Sequence, residues 1–261
     1  MTGATAALVA AVCAVYGLAI GSFLNVVAHR VPRGASVLRP RSACPRCGQP
    51  IRARHNIPVL GWLLLRGRCY DCAEPISPRY PLVELGTGAL FAMAGFRFAD
   101  RPALLAAYLV FAAVAMALAL IDLDVRQLPN AIVLPAYPLL AVLLLLGADA
   151  GALSRAGIGA LVLFGFFFTI ALVAPNGIGF GDVKLAGVIG GMTAYLSWAA
   201  FLTAAFGAFL LGAVAGVALI LGRGAGRRTA MPFGPFMLLA AWASILGASG
   251  LGEVYLGIIG V

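Results

Sequence analysis

Four of the nine carboxylates in this chain sit where an oily sequence has little reason to keep them: Glu84, Asp122, Asp124 and Asp182, all in or beside apolar runs. Asp122 closes the run AMALALIDLD (115–124). That places it at a helix C-terminus, where the macrodipole disfavours an anion and an ordinary helix end would carry Lys or Arg. Asp182 sits in GIGFGDVK (177–184), after Gly177, Gly179 and Gly181 and two residues before Lys184, the only lysine. An acid opening a helix is a good N-cap, and capping alone would account for Asp182. It does not account for three alternating glycines, which point to backbone that something approaches closely. Two carboxylates sharing a site do not both ionise easily, so one keeps a proton. The charged member can activate water while the neutral one polarises a peptide carbonyl. That is aspartic-protease chemistry built from helix ends. Asp124, two residues further out, fits plain solvation at a membrane surface better. A dinucleotide loop is a poor reading of the glycines, because they follow an apolar span and not a strand.

The second chemistry-bearing group is cysteine. CPRC (Cys44, Cys47) and CYDC (Cys69, Cys72) have the spacing of a tetrahedral four-cysteine zinc site, each knuckle giving two thiolates from one tight turn. Zinc would replace the core that so short a loop cannot build. Paired disulfides are the rival, disfavoured if the loop faces a reducing compartment. His55 lies between the knuckles, but four cysteines already complete the shell. Cys13, in the first apolar run, reads as a small buried hydrophobe.

These groups need elements to hold them. The chain has 261 residues, 62% hydrophobic and only 10% charged, against about 25% charged in an ordinary soluble domain. It reads as an all-α polytopic membrane protein of about eight transmembrane helices, since each span takes ~20 apolar residues. The runs fall near 5–28, 82–98, 103–121, 131–147, 156–174, 183–198, 199–221 and 232–249, with only Ser197 and Trp198 marking the break between the sixth and seventh. No cleavable signal peptide is evident, and residues 1–28 read as a retained first helix. Residues 29–81 form a small cytoplasmic zinc-binding loop domain, and 82–261 a transmembrane catalytic domain. Ten of the seventeen arginines lie between Arg30 and Arg79, and alternation puts fifteen of the eighteen basic residues on that loop's side. This is the positive-inside pattern, so the net charge of +9 records orientation and not nucleic-acid binding. Asp122 and Asp182 then project from the cytoplasmic side. Gly187 and Gly191 form a small-x-x-x-small pair suited to close helix contact, and FGFFF (164–168) reads as lipid-facing or packing surface.

In six ordered blocks the sequence resembles the bacterial type IV prepilin peptidases (leader peptidase/N-methyltransferase), integral-membrane aspartic proteases of the GxGD class. The blocks are GSFLNVVAHRVP (21–32), CPRCGQPIRARHNIPVLGWLLLRGRCYDC (44–72), PISPRYPLVE (75–84), IDLDVRQLPN (121–130), GIGFGDVKL (177–185) and MPFGPF (231–236). The resemblance implies a catalytic pair at Asp122 and Asp182, with Asp122 preferred over Asp124 by its spacing of six to Leu128. It implies cleavage of the short basic leader from type IV pilin or type II secretion pseudopilin precursors at the cytoplasmic face of the bacterial inner membrane. With the cysteine loop intact, it also implies methylation of the new N-terminus with S-adenosylmethionine, the alternative being a peptidase alone. On this reading Gly179 and Gly181 let the substrate strand approach Asp182, and Lys184 snorkels to the lipid headgroups. Glu84 either binds the substrate amine or cofactor, or is a helix-entry acid favoured by the dipole. Neither the precursor nor the oligomeric state is legible.

Readings from other classes are separable. A cation-coupled transporter places its acids near the midplane on repeated broken helices, whereas these acids map to helix ends and the IDLD and GFGD blocks do not repeat. A zinc-bearing scaffold would tolerate loss of Asp122 and Asp182. A presenilin-like protease would pair GxGD with a YD block instead of IDLD and LPN.

Overall fold

A computed structural model describes residues 2–174, 178–223 and 231–259. Gly177, and Arg227 and Arg228 of the basic count, lie outside them. Among the described residues ten α-helices follow in order: α1 (Gly3–Arg30), α2 (Leu60–Leu64), α3 (Arg79–Arg97), α4 (Pro102–Val125), α5 (Asn130–Leu145), α6 (Ala150–Val173), α7 (Phe180–Leu196), α8 (Trp198–Arg223), α9 (Gly234–Ile245) and α10 (Gly250–Ile259). Among the described residues no strand forms beyond two isolated bridges in the cysteine loop.

All eight expected apolar runs are helices. Four are long and apolar enough to cross a membrane: Gly3–Arg33, Pro102–Val125, Ala150–Val173 and Trp198–Gly222. The helices α5 and α9 are apolar but shorter, at 16 and 12 residues, which is about 24 and 18 Å at the α-helical rise. The break between α7 and α8 is a single extended residue, Ser197, whose Oγ accepts the Ala200 N–H at 3.0 Å and so caps α8.

The chain divides into two compact units, Met1–Ala117 and Leu118–Val261. In the first, α1 packs antiparallel on α3: Gly21 lies against the backbone of Glu84, Gly17 against Gly88, and Cys13 against Gly95. In the second, α7 packs against α5, α6, α8 and α9. It is apolar on every side and buries Val183, Leu185, Ala186, Ile189 and Met192, as a central helix must. The closest approach of α6 to α7 pairs Gly159 with Gly190, where an added Cβ would run into the facing backbone. Gly187 faces the Tyr137 hydroxyl instead, and Gly191 makes ordinary contact with Ala156 and Ala160. FGFFF divides as an amphipathic helix should: Phe167 is buried while Phe166 is half exposed.

Candidate functional site

The helix α4 carries Asp122 in its last turn and stops one turn later. The Arg126 N–H bonds the Asp122 carbonyl at 2.9 Å, with Arg126 in left-handed backbone at φ 53°, the usual geometry of a helix stop though normally a glycine's. Gln127, Leu128 and Pro129 then lead into α5. On α7, Asp182 is the third helical residue, not the N-cap. Its Oδ2 accepts the N–H of Gly179, the true N-cap, at 3.3 Å. Asp182 thus reaches back to the N-cap N–H, as a capping-box acid does.

Both acids line one cleft of about 370 Å³, together with Arg126, Leu128, Asn130 and Phe180. Asp122 is buried. Asp124 is exposed and does not line the cleft. Gly181 serves the chain itself here: a Cβ on it would stand 2.9 Å from the Leu128 Cβ, so Leu128 fills that space and seats the 127–130 segment on α7. Lys184 is likewise used inside the protein. Its Nζ donates to Asn130 Oδ1 at 2.7 Å and lies 4.8 Å from the Phe180 ring, while its carbonyl accepts the Tyr137 hydroxyl at 2.5 Å. The bond to the Asn130 amide oxygen ties the start of α7 to the start of α5.

Sequence reasoning quoted MPFGPF but gave it no role, and the structure supplies one. The N–H of Gly234, the first residue of α9, donates to Asp122 Oδ2 at 3.1 Å. A Cβ there would stand 2.8 Å from that oxygen, so only glycine admits the contact. Phe233 fixes the approach by packing 5.5 Å from Phe209, which stacks 5.5 Å from Phe167. The signal available beforehand was a glycine followed by proline at a helix start, where the free N–H points outward.

In the other unit, Cys44, Cys47, Cys69 and Cys72 converge, their Sγ atoms all within 4.8 Å of one another and those of Cys44 and Cys72 3.8 Å apart. None is in a disulfide. Tetrahedral zinc–thiolate bonds place sulfurs about 3.8 Å apart, so the four thiols fit a metal ion. The backbone N–H groups of Cys47 and Arg46 hold the Cys44 thiol down to about 7. The Glu74 N–H draws Cys72 the same way, but burial and the three neighbouring thiols carry it up to about 12. Thiols this crowded do not all give up protons unless a cation replaces them. His55 stands apart, its ring 4.8 Å from that of Tyr70.

The two knuckles are copies of one another. ACPRCGQPI (43–51) and RCYDCAEPI (68–76) align without a gap, and each makes the same bonds. Cys44 N–H goes to Gln49 and Cys69 N–H to Glu74, while Ile51 N–H goes to Ser42 and Ile76 N–H to Gly67. Arg46–Glu74 and Arg52–Asp71 ion pairs join the copies. The symmetry breaks at the turn. Gly48 holds φ 70° at no cost, and Ala73 holds φ 58°, where a Cβ costs about 1–2 kcal/mol. Ala73→Gly should therefore stabilise the loop by about 0.5 kcal/mol after the larger chain entropy of glycine is subtracted. Competition with a metal chelator reads this as about twofold better retention.

Glu84 is buried, and its Oε2 accepts the Val59 N–H at 2.6 Å. It lies in the second turn of α3, not at its entry.

Residues 15–98 match the bacterial peptidase A24 N-terminal domain, and residues 109–217 match the type IV leader peptidase family. The chain belongs to that family. Proteins named prepilin leader peptidase/N-methyltransferase are similar along nearly the whole chain. The one from Aeromonas hydrophila is 37% identical, covering 92% of this chain and 91% of its own. That from Pseudomonas putida is 37% identical over 89% and 88%, and that from Myxococcus xanthus 43% over 82% and 64%. No solved structure matches the chain. Membership and the apolar helices together make this family member a multi-pass membrane protein.

Proposed function

We propose that this protein is a prepilin peptidase that cuts the leader from type IV pilin or pseudopilin precursors, with Asp122 and Asp182 as its catalytic pair, and methylates the new N-terminus. The observation that carries the pair is that these two acids, from separate helices, line one cleft. One carboxylate takes a proton from water as its oxygen attacks the scissile carbonyl carbon. The protonated partner donates to the carbonyl oxygen, and the peptide C–N bond then breaks with the proton passing to the leaving nitrogen. Gly234 holds Asp122 in place through its N–H. The site works at the cytoplasmic face of the inner membrane, the side on which basic residues collect. Zinc is the metal that four thiolates in tetrahedral array suit best, and it staples the loop without touching the reaction. S-adenosylmethionine is the methyl donor that the relatives' name implies. Glu84, offered as a ligand for the substrate amine or the methyl donor, keeps one oxygen on the Val59 N–H, and its other oxygen is the one such a ligand would use.

Incubating the lipid-reconstituted protein with a pilin-type precursor should release the leader. Adding S-adenosylmethionine should increase the mature product by the mass of one methyl group. An uncut precursor would overturn the peptidase reading, and a cut but unmethylated product would leave the peptidase alone. Gly234→Ala should lower kcat by about 10²-fold with little change in KM, because a displaced catalytic group costs that much. An unchanged kcat would show that Asp122 needs no such support.

A further inference from the structure

The loop between α1 and α3 is soluble in composition, yet its middle is anchored well inside the helix pair. Val59 has φ 61° and ψ −52°, and the Leu60 N–H bonds the Pro58 carbonyl at 2.6 Å. This is a γ-turn of the rare strained hand, at a β-branched residue for which positive φ is a genuine outlier. Its tip reaches Glu84, whose carboxylate takes the Val59 N–H.

Glu84 fixes the depth of that tip. It lies five residues along α3 from Arg79, about 7.5 Å on the helical rise. It is also level with Gly21 of α1, nine residues before Arg30 and so about 13 Å from that basic end. Arg30 and Arg79 close the same end of an antiparallel pair in which α1 is long and apolar enough to span a membrane. The turn therefore lies on the apolar side of the basic boundary.

The helix α2 starts from this turn. Gly61 packs against the His55 carbonyl and the Trp62 Nε1–H donates to the Ile76 carbonyl at 3.0 Å, while Leu60, Leu63 and Leu64 cluster on one exposed face at 55%, 55% and 73% exposure. The chain then turns back through Arg66 and Arg68, both exposed. A short helix with leucines on one face, followed at once by arginines, matches a membrane interface: acyl chains for the leucines and anionic phosphates for the guanidinium groups. Glu84 meanwhile satisfies the one backbone N–H at the tip.

We infer that residues 57–65 form an interfacial segment of the membrane, with Leu60, Leu63 and Leu64 among the acyl chains of the leaflet that bears Arg30 and Arg79. The inference rests on α1 crossing the bilayer and on neither the peptidase nor the methyltransferase reading.

The test places a tryptophan at Leu64 or at Leu38, which is 80% exposed in the basic part of the same loop. Each goes into full-length protein carrying Trp198→Phe and Trp242→Phe, with that background as the Trp62 baseline. Vesicles of phosphatidylethanolamine and phosphatidylglycerol are compared with and without bromine at shallow acyl positions. The emission added by Leu64→Trp should be blue-shifted and lose roughly half its intensity or more to bromine, as expected for a side chain about 5–10 Å into the interface. That added by Leu38→Trp should stay red and unquenched. Leu63→Trp repeats the measurement if Leu64→Trp fails to insert. Red, unquenched emission at position 64 would put α2 in water, and blue emission without quenching would mean that protein covers the leucines. Either result overturns the inference.

Discussion

Asp122→Asn and Asp182→Asn are each expected to lower cleavage of a pilin-type precursor by about 10⁴-fold, the scale on which loss of a catalytic acid or base is felt. Asparagine keeps the shape and can still accept the Gly234 or Gly179 N–H, so what is removed is the proton chemistry and not the fold. The double variant should be little worse than either single one, because the two act as a unit. Asp124→Asn should cut within about threefold of wild type, as a change at an exposed position usually does. The wild-type rate should describe a bell against pH, one limb for the acid that must be charged and the other for its protonated partner. Cleavage followed by mass spectrometry across wild type and the four variants decides this. Loss at Asp124 with retention at Asp122 would move the first catalytic position by two residues, and a flat pH profile would count against the dyad.

Cys44→Ser should remove most of the bound metal and unfold the cysteine loop. Metal binding to structural Cys-rich sites supplies about 10–16 kcal/mol of apparent folding energy, far more than two exposed ion pairs of about 0–1 kcal/mol each could replace. Cleavage should persist within about threefold, because Asp122 and Asp182 belong to the compact unit that begins at Leu118. Metal content by elemental analysis, read beside cleavage, separates the outcomes. Cleavage that falls together with the metal would show that the loop organises the catalytic unit.

Much of this architecture was legible before any coordinates. Apolar runs bounded by charge, Pro and Gly located eight of the ten helices, leaving out the short α2 and α10, since hydropathy over a long run is a local property. The C-x-x-C spacing located the cysteine cluster because knuckle geometry is local too. What stayed hidden depends on partners distant in sequence. Nothing near Lys184 reveals that Asn130 receives its ammonium, nor does the stretch around Glu84 reveal that Val59 approaches it. Gly234 was within view but mute, because its significance is an N–H aimed at an acid on another helix. The duplicated knuckle was readable in principle, but the two copies share only two cysteines, a proline and an isoleucine among nine positions, and that divergence concealed it.

That duplication has a consequence for how the protein is made. Each half offers two thiolates, so neither holds an ion securely alone, and capture waits until Cys72 has left the ribosome. By then α1 has been synthesised in full, while α3 begins only at Arg79. For a metal held by all four cysteines, order of synthesis would set its capture between the emergence of α1 and that of its antiparallel partner α3. Scarcity of the metal would be felt during biogenesis, as chains stalled with α1 inserted and α3 not yet docked.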